Sequence, residues 1–134
     1  MSAAAGTSLR VDAHPVLGDI GKFRELTIYL DGAPVTAREG ETIAATLTAA
    51  GLNTFRYTKS GAPRRMYCGI GRCTDCVMVV DGSPNVRTCV TLVRDGMDVR
   101  TQRGLGSWSG VAAGSGGADH GAGMDGEGAG DVKR

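Results

Sequence analysis

A chain of 134 residues is long enough for one domain, and 15 Lys plus Arg against 14 Asp plus Glu leaves a formal charge of +1. Near-neutrality excludes a strongly basic nucleic-acid binder, and no run of about eighteen apolar residues marks a membrane span. Eleven of the 22 glycines fall between Gly104 and Arg134, so 104–134 reads as a disordered glycine-rich tail that cannot bury enough apolar surface to fold.

The start, Met1-Ser2-Ala3-Ala4-Ala5-Gly6, lacks the positive region and apolar core of a secretory signal, so the expected location is cytoplasmic. Residues 1–20 have small and polar side chains with little periodicity and read as a flexible arm; residues 21–103 read as the domain. Leu26, Ile28 and Leu30 alternate with polar neighbours, and Asp31-Gly32 followed by Pro34-Val35-Thr36 predicts a first hairpin. Ile43, Leu47 and Ala50 share one helical face. Thr42 stands where a cap belongs, and Gly51 where the helix ends.

Leu52 to Pro63 predicts one strand fragment and a loop. Val77 to Val80, Asp81-Gly82 and Asn85 to Thr88 predict a second hairpin, and Met97, Val99 and Thr101 a closing strand. This order makes an α+β fold, a small mixed sheet with one packed helix, the simplest solution.

All four cysteines lie in one window, Cys68-Gly-Ile-Gly-Arg-Cys73-Thr-Asp-Cys76 and, twelve residues on, Cys89. The first three match the plant-type [2Fe-2S] spacing, and Gly69 and Gly71 suit a loop whose backbone must approach a cluster. If the second hairpin runs out four residues and back four, Cys76 and Cys89 face each other at about 5 Å. They would then share one iron while Cys68 and Cys73 hold the other. The same spacing would admit a Cys76 to Cys89 disulfide, since bridged α carbons sit at roughly 4.4 to 6.8 Å. A structural zinc site remains the non-redox alternative, although it usually brings two close pairs rather than a triplet and a distant single.

Residues 24–102 resemble the [2Fe-2S] ferredoxin-like domain of multi-subunit flavin-dependent amino-acid oxidoreductases. These include proline and hydroxyproline dehydrogenases, opine oxidases, hydrogen cyanide synthase and sarcosine oxidase relatives. The resemblance is carried by Glu39-Gly40-Glu41-Thr42-Ile43, Ala49-Ala50-Gly51, Tyr67-Cys68-Gly69-Ile70-Gly71, Cys73 and Cys76. It continues in Val77 to Gly82, Arg87-Thr88-Cys89 and Asp95 to Gln102. It implies a β-grasp fold with a cluster-binding loop, a [2Fe-2S] cluster on Cys68, Cys73, Cys76 and Cys89, and a hetero-oligomer with flavin-containing dehydrogenase or oxidase subunits. FAD or FMN would then sit in those partners, since this chain carries no substrate site and no complete nucleotide fingerprint. A freely diffusing ferredoxin is the alternative within the same chemistry.

Arg56, Lys59, Arg64, Arg65 and Arg72 lead into the cysteine loop with no Asp or Glu between 56 and 72. Such a field favours the more negative, reduced cluster. Met66 and Tyr67 are expected to shield the site from water. His14, His120 and the Gly121 to Gly126 G-x-G-x-x-G match carry no function on this reading, and Trp108 is at most an anchor for a partner.

Overall fold

The structure, a computed structural model, describes residues 8–107. Most of the expected glycine-rich tail, with Trp108 and His120, lies outside them. A short hairpin, β1 (Ala13–His14) and β2 (Gly18–Asp19), comes first. Strands β3 (Glu25–Leu30) and β4 (Ala33–Arg38) then pair antiparallel across Asp31-Gly32. Both turn residues have positive φ, 50° and 86°, as a two-residue hairpin turn demands. Leu26 and Ile28 point inward and Thr27 and Tyr29 outward, the alternation read from the sequence.

Helix α1 (Ile43–Ala49) begins where Thr42 accepts the Ala45 N–H at 3.2 Å. It buries Ile43, Ala44, Thr46 and Leu47 against the sheet. Two short strands, β5 (Arg56–Tyr57) and β6 (Pro63–Arg64), bracket a loop. The second hairpin, β7 (Val77–Val80) and β8 (Ser83–Arg87), is followed by β9 (Asp98–Arg100) and β10 (Gln102–Arg103).

The main sheet has the order β4-β3-β9-β7-β8, with β3 and β9 parallel and the other pairs antiparallel. The closing strand therefore enters the centre of the sheet, parallel to the first. That is the α+β, β-grasp arrangement. A second sheet, β10-β5-β6, lies against β7, so all four β7 residues are buried and no alternation survives there.

One expected feature is corrected. Val77 pairs Arg87 and Met78 pairs Val86, but Val80 pairs Ser83, leaving Pro84 and Asn85 opposite Val79. This bulge, with Asn85 at φ 61°, places Thr88 against Cys76, so Cys89 is not its cross-strand partner.

Residues 8–20, read as arm, are tied to the body through Leu9 N–H to Ala49 O (2.8 Å) and the Arg10–Glu41 pair (2.7 Å). At the other boundary, Gly104 N–H donates to Tyr57 O at 2.9 Å and Leu105 O accepts from Asn85 Nδ2 at 3.0 Å. The packed chain therefore continues past residue 103.

Candidate metal centre

The four cysteines come together from two directions. Cys68, Cys73 and Cys76 lie along the loop that enters β7, and Cys89 follows β8 in a turn closed by Val90 N–H to Arg87 O at 3.3 Å. That turn swings the Cys89 sulfur back to the loop, where Gly71 N–H donates to it at 3.2 Å. The backbone of 70–73 wraps the first thiol: Ile70, Arg72 and Cys73 N–H groups reach Cys68 Sγ at 3.5, 3.4 and 3.4 Å.

Those three amides, Ile70 foremost, pull the Cys68 thiol down to about 6. The loop thus favours a thiolate, the form that ligates metal. Cys89 goes the other way: burial pushes its thiol up, and the neighbouring Cys76 adds to the effect, against the Gly71 amide. Cys76 and Cys89 are buried; Cys68 and Cys73 are half-buried, so the pocket has an inner and an outer side.

None of the four thiols is bridged as a disulfide. Among the described residues no three His, Cys, Asp or Glu side chains stand close enough to hold one metal ion between them. A diiron cluster asks for four thiolates and for amides facing sulfur, and this loop turns the Ile70, Arg72 and Cys73 amides to Cys68 and the Gly71 amide to Cys89. Gly71 makes the approach possible. Its φ is +75°, and a Cβ there would stand 3.1 Å from Val90 Cγ1.

Several supporting residues were invisible in the cysteine spacing. Arg87 Nε donates to Cys73 O at 3.1 Å and Arg56 Nε to Thr74 O at 2.7 Å, so two guanidinium groups hold consecutive carbonyls of the loop. Arg56 also faces Asp75 at 3.4 Å, with Arg64 at 4.0 Å from the same carboxylate. Buried Thr88 donates its hydroxyl to Cys76 O at 2.7 Å. Arg87 and Thr88 stood beside Cys89 in the motif. The sequence shows Arg56 only as part of the basic run; its bond to Thr74 O depends on where the β10-β5-β6 sheet places β5.

Of the basic run, Lys59, Arg65 and Arg72 form no ion pair among the described residues, whereas Arg56 and Arg64 answer Asp75. Of the two expected shields, Met66 places its Sδ 4.0 Å from the position a Gly69 Cβ would take but is 42% exposed, and Tyr67 is 83% exposed.

Residues 24–104 match the family model described as a 2Fe-2S iron-sulfur cluster binding domain. The hydrogen cyanide synthase subunit HcnA of Pseudomonas aeruginosa is 41% identical over 78 residues, 58% of this chain and 75% of that protein. Its Pseudomonas protegens counterpart is 42% identical over 77 residues, 58% and 73% of the two chains. Among solved structures, L-proline dehydrogenase from P. horikoshii superposes with a TM-score of 0.55 at 24% identity, a likeness of fold. It covers 63% of this chain but only 16% of that much larger one. With the family model spanning more than half of its length, this chain belongs to the 2Fe-2S iron-sulfur cluster binding domains and carries a [2Fe-2S] cluster.

Proposed function

We propose that this chain is the electron-transfer subunit of a flavin-dependent oxidoreductase. Cys76 and Cys89 hold the inner iron of the cluster, and Cys68 and Cys73 the outer. The observation that carries the reading is a loop of the 2Fe-2S family whose 70–73 amides reach the sulfurs of both Cys68 and Cys89. When bound, the cluster supplies one-electron storage and release. The chain's own part is to hold the thiolates, to aim backbone N–H groups at sulfur and to leave the Cys68 side near the surface.

A flavoprotein partner acting on an amine or amino acid supplies the electrons. The related HcnA proteins, named as subunits of a synthase, support an assembled rather than a freely diffusing role. Free thiolates suit a reducing cytoplasm.

The test uses the full chain, affinity-tagged in its native source. Iron, acid-labile sulfide and visible absorption are expected in the purified material, together with a flavin-bearing polypeptide identified by mass. Cys76→Ser and Cys89→Ser are expected to abolish the visible bands. A purified chain with iron and sulfide but no flavin partner overturns the subunit assignment, and retained bands in either serine variant overturn the ligand set.

A further inference from the structure

The hairpin of β1 and β2 precedes the segment that matches the family, residues 24–104. It is held in place at several points. Arg10 grips both carboxylate oxygens of Glu41 at 2.7 Å and donates a third bond to Thr36 O at 3.1 Å. Asp12 pairs with Arg38 at 2.6 Å. Ile20 N–H closes the hairpin on Asp12 O at 3.1 Å, and His14 Nδ1 accepts the Val16 and Leu17 N–H groups at 3.2 Å each.

All this order presents two aliphatic side chains to water. Val16 is 84% exposed and Leu17 80%. A two-strand hairpin has no core of its own to justify the arrangement. Solvent gains nothing from a rigid apolar tip, whereas a binding partner does, because a preorganised contact loses less entropy on docking.

Exposed apolar side chains recur between the hairpin and the cysteine loop. Val11, Ile20 and Phe23 line a groove of about 480 Å³ together with Arg10, Arg38, Glu39, Gly40 and Glu41. Val93 N–H donates to Glu41 O at 2.9 Å, and Leu92 bridges Thr42. Two residues earlier, exposed Val90 lies against Gly71 in the cysteine loop, beside exposed Ile70. Exposed Ile70, Val90 and Leu92 thus lead from the cysteine loop to Thr42 and Glu41 beside the groove, and near the loop Lys59, Arg65 and Arg72 stand without ion pairs among the described residues.

We propose that the N-terminal hairpin is a docking knob for the same polypeptide that exchanges electrons with the cluster, with Val16 and Leu17 seated in an apolar socket of that partner. Electron exchange obliges the partner to cover the cysteine loop, and Val90, Leu92 and the groove residues Val11, Ile20 and Phe23 lead from that contact towards the hairpin. Aromatic and aliphatic side chains with interspersed arginines are the composition of a protein interface core. The unpaired cations call for carboxylates on the partner at the loop end. The inference rests on the flavoprotein-subunit reading above.

The experiment isolates the native complex through the tagged full chain, as wild type and as the double variant Val16→Asp, Leu17→Asp. The variant is expected to keep its visible cluster absorption and to bring down about tenfold or more less flavin per iron, as for the loss of a hot-spot contact. A wild-type complex without flavin overturns the subunit reading and this inference with it; equal flavin per iron in both overturns the hairpin proposal alone. A second arm places a photo-crosslinking side chain at Leu17 in the otherwise unaltered chain, so the result stands even if the charged variant misfolds. Crosslinking to the flavin-bearing polypeptide is expected. Crosslinking to nothing, or only to a second copy of this chain, overturns the proposal.

Discussion

Thr88 joins the site to the core. Fully buried, it directs its hydroxyl at Cys76 O (2.7 Å), and its own carbonyl accepts from Ala44 N–H at the start of α1 (3.0 Å). Thr88→Val keeps the shape and removes that donor, so urea unfolding of the cluster-loaded protein is expected to show a loss of about 1 to 2 kcal/mol. Arg56 and Arg87 act on the loop from outside, on the Thr74 and Cys73 carbonyls. Methionine at either position should speed cluster loss to a chelator, and lysine should restore only part of the wild-type rate, because an ammonium lacks the planar fork. Glu41 sets an acid limit. Burial works against its charge, but hydrogen bonds from Arg10, Thr46 and the Arg38 N–H outweigh burial and hold the carboxyl at about 2, below its ordinary 4.5. Its contribution is therefore complete above pH 4.5 and is lost as pH falls towards 2. The stability gap between wild type and Glu41→Gln should be flat from pH 8 to 5 and narrow below, as followed by far-ultraviolet circular dichroism in urea.

The elements of the domain follow local rules where their neighbours agree with those rules. Thr42 caps α1 and Gly51 follows it at φ 78°, both as the residue types dictate, while the seven-residue helix owes its persistence to four buried side chains. The second hairpin departs from its sequence pattern because Pro84 and Asn85 bulge, and Gln102 of β10 explains why. Gln102 is buried, accepts from Asn85 N–H and donates to Asn85 Oδ1, each at 2.8 Å, which fixes the bulge from a strand seventeen residues away. The chain end shares this contact. A Cβ at Gly106 would stand 2.7 Å from Pro84 Cβ and 2.9 Å from Gln102 Cδ, at φ +74°. Gly106→Ala is expected to lower stability by about 1 to 3 kcal/mol. By the same contacts, a chain ending at residue 103 should melt below one ending at residue 107; equal melting temperatures would return the boundary to the expected tail start at Gly104.

At the scale of the whole molecule the charges near the cysteine loop do not all act alike. Asp75 offsets one of the two charges of Arg56 and Arg64, and the other adds to Lys59, Arg65 and Arg72, which form no ion pair among the described residues. Positive charge favours the reduced cluster, so a potentiometric titration followed by electron paramagnetic resonance is expected to give a potential above the roughly −400 mV of plant-type ferredoxins. Arg72→Gln should lower it by an amount on the order of tens of millivolts, less at high salt. The cysteine spacing points to an iron–sulfur centre while leaving zinc and a disulfide open, and the family resemblance of the surrounding motifs completes the reading, because thiolate spacing by itself suits more than one metal. Both Asp-Gly turns and the capped helix are legible in the sequence, because their causes lie within a few residues. That the Gly71 amide reaches Cys89, that Thr88 rather than Cys89 meets Cys76, that Arg56 reaches the loop, and that Leu9, Arg10 and Asp12 are tied to the body all depend on contacts between distant segments. Register, bulge and ion pair are settled by packing across the molecule, and no local pattern contains that information.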